Sequence, residues 1–166
     1  MKYYDINFKF SSIIIFFIVI ALFSYSSVKK KEEQKLWIGK KLNIPEISSN
    51  EKKIVVRLIG DCPSCIESIK MWKKLDKIFK EKNKNFKLIF YVEVVNEKRF
   101  QELQKQLNFA DYVIFDQRMS FFNKNLLSFP YHLEYHTFLL NKENKILLFG
   151  NPVVKRDLLK KYIELL

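Results

Sequence analysis

Two cysteines, Cys62 and Cys65, lie three positions apart and are the only cysteines in the 166-residue chain. A structural disulfide gains most of its stabilising effect by closing a long loop, whereas a bridge across two residues closes a very short one. This spacing is used where the bond is made and broken, or where thiolates hold a metal. The sequence therefore favours a redox-active dithiol/disulfide pair at these positions, with a metal site as the alternative.

The segments on either side of the cysteines predict a strand followed by a helix. Residues 54–59 form a short β-branched run that stops at Gly60-Asp61, as a strand ending in a turn does. After the cysteines, apolar residues recur at the spacing of an amphipathic helix of about four turns. These residues are Ile66, Ile69, Trp72, Leu75 and Phe79. Pro63 suits the first turn of this helix, where its missing N–H costs nothing.

This placement assigns different roles to the two sulfurs. Cys62 would lie where the unpaired N–H groups and the dipole of the helix favour an anion, so its pKa is expected below the free value of ~8.5. Cys62 is thus the predicted attacking sulfur, and Cys65, on the core side of the helix, resolves the mixed disulfide. Pro63 and Ser64 are expected to tune the redox potential, while the carboxylate of Asp61 opposes thiolate formation.

The rest of the chain alternates predicted strands and helices. An almost continuous apolar run at residues 88–95 indicates a strand buried on both faces. A helix marked by Phe100, Leu103 and Leu107 and a strand at residues 112–115 follow, and residues 137–140 and 146–149 form a predicted hairpin. A closing helix is lined by Val154, Leu158, Tyr162 and Leu165. The sequence predicts an α/β sandwich in which helices flank a mixed sheet.

The two histidines of the chain, His132 and His136, offer a second set of candidate ligands. Two cysteines and two histidines are a known set of zinc ligands, but the gap from Cys65 to His132 is far longer than in a zinc finger. His136 is expected just before a strand that passes beside the cysteines. A metal site of Cys62, Cys65 and His136 is therefore the alternative, and a surface or supporting role is favoured for both histidines.

An apolar segment near the N-terminus predicts export or membrane attachment. Residues 10–28 carry no charge, residues 13–23 are continuously apolar, and Lys2 and Lys9 precede them. The short run fits a signal peptide, with Ser24-Tyr25-Ser26 as a cleavage site. The uncharged window nearly reaches the ~20 residues that cross a bilayer. We predict an uncleaved signal anchor at residues 1–28, with cleavage as the alternative.

The expected domain organisation continues with a charged tether at residues 29–38 and a folded domain at residues 39–166. Lys29, Lys30 and Lys31 would favour a cytoplasmic position after the anchor, whereas Lys2 and Lys9 favour the opposite orientation. A redox-active disulfide forms and persists more readily outside the reducing cytosol. The sequence therefore predicts a domain anchored in the membrane on the extracytoplasmic side of the cell envelope.

The formal charge of +12 does not indicate a protein that binds nucleic acid. Nearly all the basic residues are lysines, since arginine occurs only at positions 57, 99, 118 and 156. Recognition of nucleic acid usually needs arginine forks and aromatic rings on one face. The charge is interpreted as a solvated lysine-rich surface, with attraction to anionic lipid or acidic partners as the alternative.

These motifs resemble the thioredoxin-like superfamily, in particular the membrane-anchored thiol-disulfide oxidoreductases of the TlpA/redoxin type. The similarity begins at Ile38-Gly39-Lys40-Lys41 and runs to the C-terminus. It includes the CPSC motif after a strand, Trp72, Phe115-Asp116, the hairpin from Thr137 to Ile146, and Gly150-Asn151-Pro152. The resemblance implies a thioredoxin-like fold without a bound cofactor, acting on protein or small-thiol disulfides.

Three positions depart from the pattern of this family. Asp61 stands where the family usually has an aromatic residue, Tyr135 where it has a cis-proline that helps bind substrate, and Ser68 where some relatives have a glutamate. By this resemblance Pro63, Ser64, Tyr135 and His136 are the candidate substrate-binding residues. The departures leave open a redox-inactive module of the same fold that binds a metal or a protein partner.

Overall fold

The computed structural model divides the chain into two compact units, residues 1–38 and residues 39–166. The residues that it describes are Ile18, 36–44, Ile47, 50–61, 63–82, 85–127, Phe129, His132 and 135–166. All the strands and helices named below belong to the second unit.

A five-stranded sheet forms the centre of this unit, in the order β3-β2-β1-β4-β5. The strands are β1 Lys52–Ile59, β2 Phe86–Glu93, β3 Tyr112–Phe115, β4 Thr137–Leu140 and β5 Ile146–Phe149. β1, β2 and β3 are parallel, whereas β4 pairs antiparallel with both β1 and β5. The predicted mixed sheet is confirmed.

Helices cover both faces of the sheet. They are α1 Pro63–Lys82, α2 Glu97–Gln106, α3 Ser120–Asn125 and α4 Arg156–Leu165. α1 and α2 connect parallel strands that step in one direction across the sheet, and the right-handed crossover rule places both on one face. Side chains of α1, α2 and α4 share one apolar core with β1 and β2. α3 covers the other face, where Phe121 stacks on Tyr91 at 4.4 Å between ring centroids.

Several boundaries differ from the sequence prediction. α1 has 20 residues and is longer than the four turns expected. β2 ends at Glu93, so Val95, which the apolar run predicts as part of this strand, lies outside it and is 74% exposed. α3 was not predicted, because its six residues are too few to show a helical period.

The lining assigned to the closing helix is wrong at two positions. Val154 lies before the first residue of α4 and is 60% exposed, and Leu165 is 39% exposed. The side chain of Asn151 accepts a hydrogen bond from the N–H of Val153, so a turn occupies the place of the predicted first helical turn. Tyr162, by contrast, is fully buried as expected.

Among the residues that the structure describes, no helix combines the length and apolar character needed to cross a bilayer. The predicted signal anchor at residues 1–28 lies outside the described residues, except for Ile18.

Candidate redox site

The carboxyl ends of β1, β2 and β3 meet at one edge of the sheet, and Cys65 lies at this edge in the first turn of α1. Its side chain is 7% exposed and belongs to the core shared with α1, as predicted. Cys65 is disulfide-bonded. The single other cysteine of the chain, Cys62, lies outside the described residues. Its role as the exposed, attacking sulfur therefore stays a prediction.

A cleft of about 280 Å³ opens beside Cys65. Its apolar lining comes from Val56, Leu58, Ile59, Trp72 and Val154, and its polar lining from Arg57, Ser64, Ser68, Thr137 and Asn151. Such a mixture suits part of a larger molecule, because apolar side chains supply contact area and polar groups fix orientation. The cleft gives a substrate access to the neighbourhood of Cys65.

The start of α1 provides an electrostatic environment that favours an anion. Pro63 is the first helical residue, and the first turn contains no acidic side chain. No negatively charged side chain in the first turn therefore offsets the positive end of the helix dipole. Pro63 and Ser64 are both exposed. Their predicted contact with substrate is compatible with this exposure and stays a prediction.

Gly60 holds the turn between β1 and the cysteine motif in a fixed position. Its N–H donates to the carbonyl oxygen of Glu93 at 2.8 Å, and its carbonyl oxygen accepts from Nε and Nη2 of Arg99 at 3.3 and 3.2 Å. A Cβ at this residue would lie 2.3 Å from both Leu103 Cδ1 and Val94 Cγ1. Glycine is thus required by close packing against α2 and the end of β2.

The segment before β4 contains the two other candidate substrate-binding residues. Tyr135 is half-buried, and its hydroxyl oxygen lies 2.7 Å from Nζ of Lys155, which donates to it. His136 is 4% exposed, so its ring is not presented to a substrate. His132 is exposed, in agreement with the surface role expected for it.

His136 belongs to a buried group of charged and polar side chains, here named the Arg57 cluster, which consists of Arg57, Glu93 and His136. Nε and Nη2 of Arg57 donate to the two carboxylate oxygens of Glu93 at 2.5 and 2.7 Å. Nη1 of Arg57 lies 2.6 Å from Nδ1 of His136. Because a guanidinium only donates, Nδ1 must accept, and the neutral ring carries its proton on Nε2.

The Arg57 cluster lies on the sheet face opposite to Cys65. The guanidinium of Arg57 sits 4.5 Å from the ring centroid of Phe122 in α3, and the ring of His136 also neighbours Phe122. Cys65 belongs to the core on the α1 face. The structure therefore does not bring the ring of His136 together with Cys65. Within the described part of the chain, no three His, Cys, Asp or Glu side chains are placed to hold a metal ion.

Arg57 and Glu93 are not among the site residues predicted from the sequence. Each is the single charge in one of the predicted apolar runs, residues 54–59 and residues 88–95, and the two charges have opposite signs. A buried charge needs a partner. Two opposite charges in two buried runs could therefore have indicated an ion pair between Arg57 and Glu93. Their register in the sheet could not be derived, because Arg57 and Glu93 are 36 residues apart in sequence.

Comparison with solved structures finds the same architecture in bacterial proteins. A protein assigned as the thiol:disulfide interchange protein DsbE from Chlorobium tepidum is 16% identical, with a TM-score of 0.51 over 70% of this chain and 81% of that one. A thiol:disulfide interchange protein from Bacteroides sp. is 15% identical, with a TM-score of 0.51 over 69% and 74%. A protein from Bacteroides vulgatus assigned as a thiol-disulfide oxidoreductase is 13% identical, with a TM-score of 0.56 over 71% and 75%.

Sequence comparisons find no relative. No protein-family model matches the chain, and no curated protein matches it. At these low identities the structural likeness establishes the fold alone.

Proposed function

Because this chain has the thioredoxin-like fold, we propose that it is a thiol-disulfide oxidoreductase whose redox pair is Cys62 and Cys65. One observation carries the proposal: Cys65 is disulfide-bonded in the first turn of the helix that follows β1, beside a cleft. The two-residue spacing of the cysteines and the absence of acidic groups from the first turn of α1 both favour exchange over a structural role.

The proposed reaction has two steps. The thiolate of Cys62 attacks one sulfur of the substrate disulfide, forms a mixed disulfide and releases the first substrate thiolate, which takes up a proton. The thiolate of Cys65 then attacks the sulfur of Cys62, forms the Cys62–Cys65 disulfide and releases the second substrate thiol. The substrate gains two electrons, and a dithiol donor must return two electrons to the pair. Oxidation of a substrate dithiol is the reverse sequence.

The proposed setting is the extracytoplasmic side of the cell envelope. A disulfide persists there because the cytosolic thiol pool is absent. The apolar segment at residues 10–28 would export the domain and anchor it in the membrane. Protein disulfides and small-thiol disulfides are the substrates in this proposal, and no cofactor is required for the exchange.

Reduction of insulin by the full chain in detergent, with a dithiol as electron donor, tests the proposal. Cys62→Ser is expected to abolish turnover, because the attacking sulfur is lost. Cys65→Ser is expected to accumulate a mixed disulfide that is visible by mass, because no second sulfur resolves it. Lys73→Ala, at an exposed position of α1 outside the cleft, is the control and should retain turnover. An unchanged rate in Cys62→Ser would end the proposal.

A metal assay of the reduced full chain separates redox chemistry from metal binding. The proposed function predicts less than one metal ion per chain after purification. A stoichiometric metal that disappears in Cys62→Ser and in His136→Ala would instead support the metal site considered from the sequence.

A further inference from the structure

Arg57 fixes His136 through both its backbone and its side chain. The backbone N–H of Arg57 donates to the carbonyl oxygen of His136 at 3.0 Å. On the same residue, Nη1 donates to Nδ1 of the imidazole at 2.6 Å. His136 is therefore held at two points by one residue of β1.

Glu93 orients the guanidinium that makes the second of these contacts. Its carboxylate binds Nε and Nη2, a bidentate geometry that fixes the plane of the guanidinium and leaves Nη1 pointing at His136. The side chains of the pair are 6% and 8% exposed. Little water screens this interaction, and the aromatic rings of Phe122 and Phe129 enclose the guanidinium and the imidazole.

The position of His136 determines one wall of the cleft beside Cys65. Thr137, the next residue, lines this cleft and pairs with Val56 in the register of β1 and β4. Tyr135 comes directly before His136 and lies outside β4. Because successive strand residues point to opposite faces, fixing His136 on the α3 face also fixes Thr137 on the cleft face.

From these contacts we infer that Arg57 and Glu93 are positioning residues, which hold the chain before β4 in place for binding of the disulfide substrate in the cleft. The inference rests on the proposed function. The pair touches neither sulfur of the substrate. Besides the part of the lining that Arg57 itself contributes, the pair acts through His136 on Thr137 and thereby on the shape of the cleft.

A positioning role of this ion pair can be distinguished from a contribution to stability by the choice of substitution. Replacing a buried pair with apolar side chains of similar size is often neutral or stabilising, whereas removing one partner leaves a buried charge unpaired. A double substitution therefore removes the positioning contacts without leaving an unpaired charge in the interior. Arg57→Met/Glu93→Leu is the variant of choice.

We expect the full-length Arg57→Met/Glu93→Leu variant to fold and to reduce insulin with a kcat/KM about 10- to 100-fold lower, mainly through a higher KM, because the cleft wall is no longer fixed. Nitrogen NMR of His136 should show loss of the single tautomer with an accepting Nδ1. Hydrogen exchange at the backbone N–H of residue 57 should become faster than in the parent.

The control removes a different ion pair, in which the carboxylate is buried and the lysine is 45% exposed. Lys80 binds Asp76 at 2.9 Å in α1, more than two turns beyond Cys65, and the carboxylate is buried. The Asp76→Leu/Lys80→Met variant should keep the KM of the parent. If this control raises KM as strongly as the Arg57→Met/Glu93→Leu variant, the positioning role is overturned.

The single substitution His136→Phe tests the same contact while leaving the ion pair of Arg57 and Glu93 intact, and it serves if the double variant fails to fold. It should raise KM in the same direction. A parent-like KM in either variant, together with a confirmed loss of the contact between Arg57 and His136, would overturn the inference.

Failure of the proposed function has a different signature. A parent protein that turns over no disulfide substrate ends the proposed function, whatever the variants do. The NMR and hydrogen-exchange readouts then still test the positioning contacts. Parent-like exchange at the backbone N–H of residue 57 in the double variant would overturn the inference on its own.

Discussion

The carboxylate of Asp61 accepts a hydrogen bond from the backbone N–H of Val95 at 3.1 Å. This contact ties the turn after β1, which leads into the cysteine motif, to the first residues beyond β2. It gives a structural reason for one departure from the pattern of thioredoxin-like proteins. Asp61 supplies an acceptor for a backbone N–H at the position where that pattern has an aromatic residue.

Substitutions at Asp61 should separate its hydrogen bond from its charge. Asp61→Asn keeps an oxygen that accepts from Val95 and removes a negative charge beside Cys62. We expect nearly unchanged stability and faster insulin reduction near neutral pH, by about two- to tenfold, because a nearby carboxylate disfavours a thiolate. Asp61→Ala should lower the free energy of unfolding by about 0.5–1 kcal/mol, since the bond is lost.

The gain in Asp61→Asn should shrink as the ionic strength is raised, because salt screens an exposed charge. Urea denaturation and initial rates at low and high salt measure both effects. A rate for Asp61→Asn equal to that of the parent at low salt would show that this charge does not act on the cysteine pair.

Gly60 should not tolerate even one additional carbon atom. In Gly60→Ala the new Cβ meets Leu103 Cδ1 and Val94 Cγ1 at 2.3 Å, and the branched Val94 has little freedom to move. We expect the free energy of unfolding to fall by about 1–3 kcal/mol. Because the displaced turn precedes Cys62, kcat/KM should fall by about tenfold or more. Chemical denaturation and insulin reduction measure the two quantities.

Gly39→Ala is the control for this substitution. Gly39 has a φ of +86° with no atom within 4 Å of a Cβ, so alanine is strained there without a clash. It should lose about 1 kcal/mol of stability and keep the kcat/KM of the parent. Equal losses of activity in both variants would mean that general destabilisation, and not the turn at Gly60, explains the effect.

Asp76 should make the stability of the protein depend on pH. Burial raises the pKa of this carboxyl above its ordinary value of 3.8, and the hydrogen bond and charge of Lys80 oppose the shift only in part. Oδ1 of Asp76 has no hydrogen-bond partner among the described residues. The folded state therefore holds this proton more tightly than the unfolded state. The contribution of Asp76 to stability is full below pH 3.8 and is lost as the pH rises through its folded pKa.

Asp76→Asn removes this titration. The free energy of unfolding of the parent minus that of the variant should be largest at about pH 3 and should decrease steadily toward about pH 7. Urea denaturation of both proteins across this range measures the difference. A constant difference at every pH would contradict the raised pKa.

The strands and the main helices could be predicted because their signals are local. The β-branched run before Gly60 and the helical spacing from Ile69 to Phe79 each follow from the next few residues, and both elements are confirmed. The six-residue α3 could not be predicted, because so short a helix shows no period and forms only by packing Phe121 against Tyr91.

The amino-acid sequence alone determined that two cysteines lie at a strand-to-helix junction, because spacing and hydrophobic period act over short distances along the chain. Which residues support this junction depends on contacts between strands that are far apart in the sequence. Arg57 and His136 are 79 positions apart, and no local pattern relates them. They meet because β1 lies between β2 and β4 in the sheet, and the burial of two opposite charges then requires the pairing of Arg57 with Glu93.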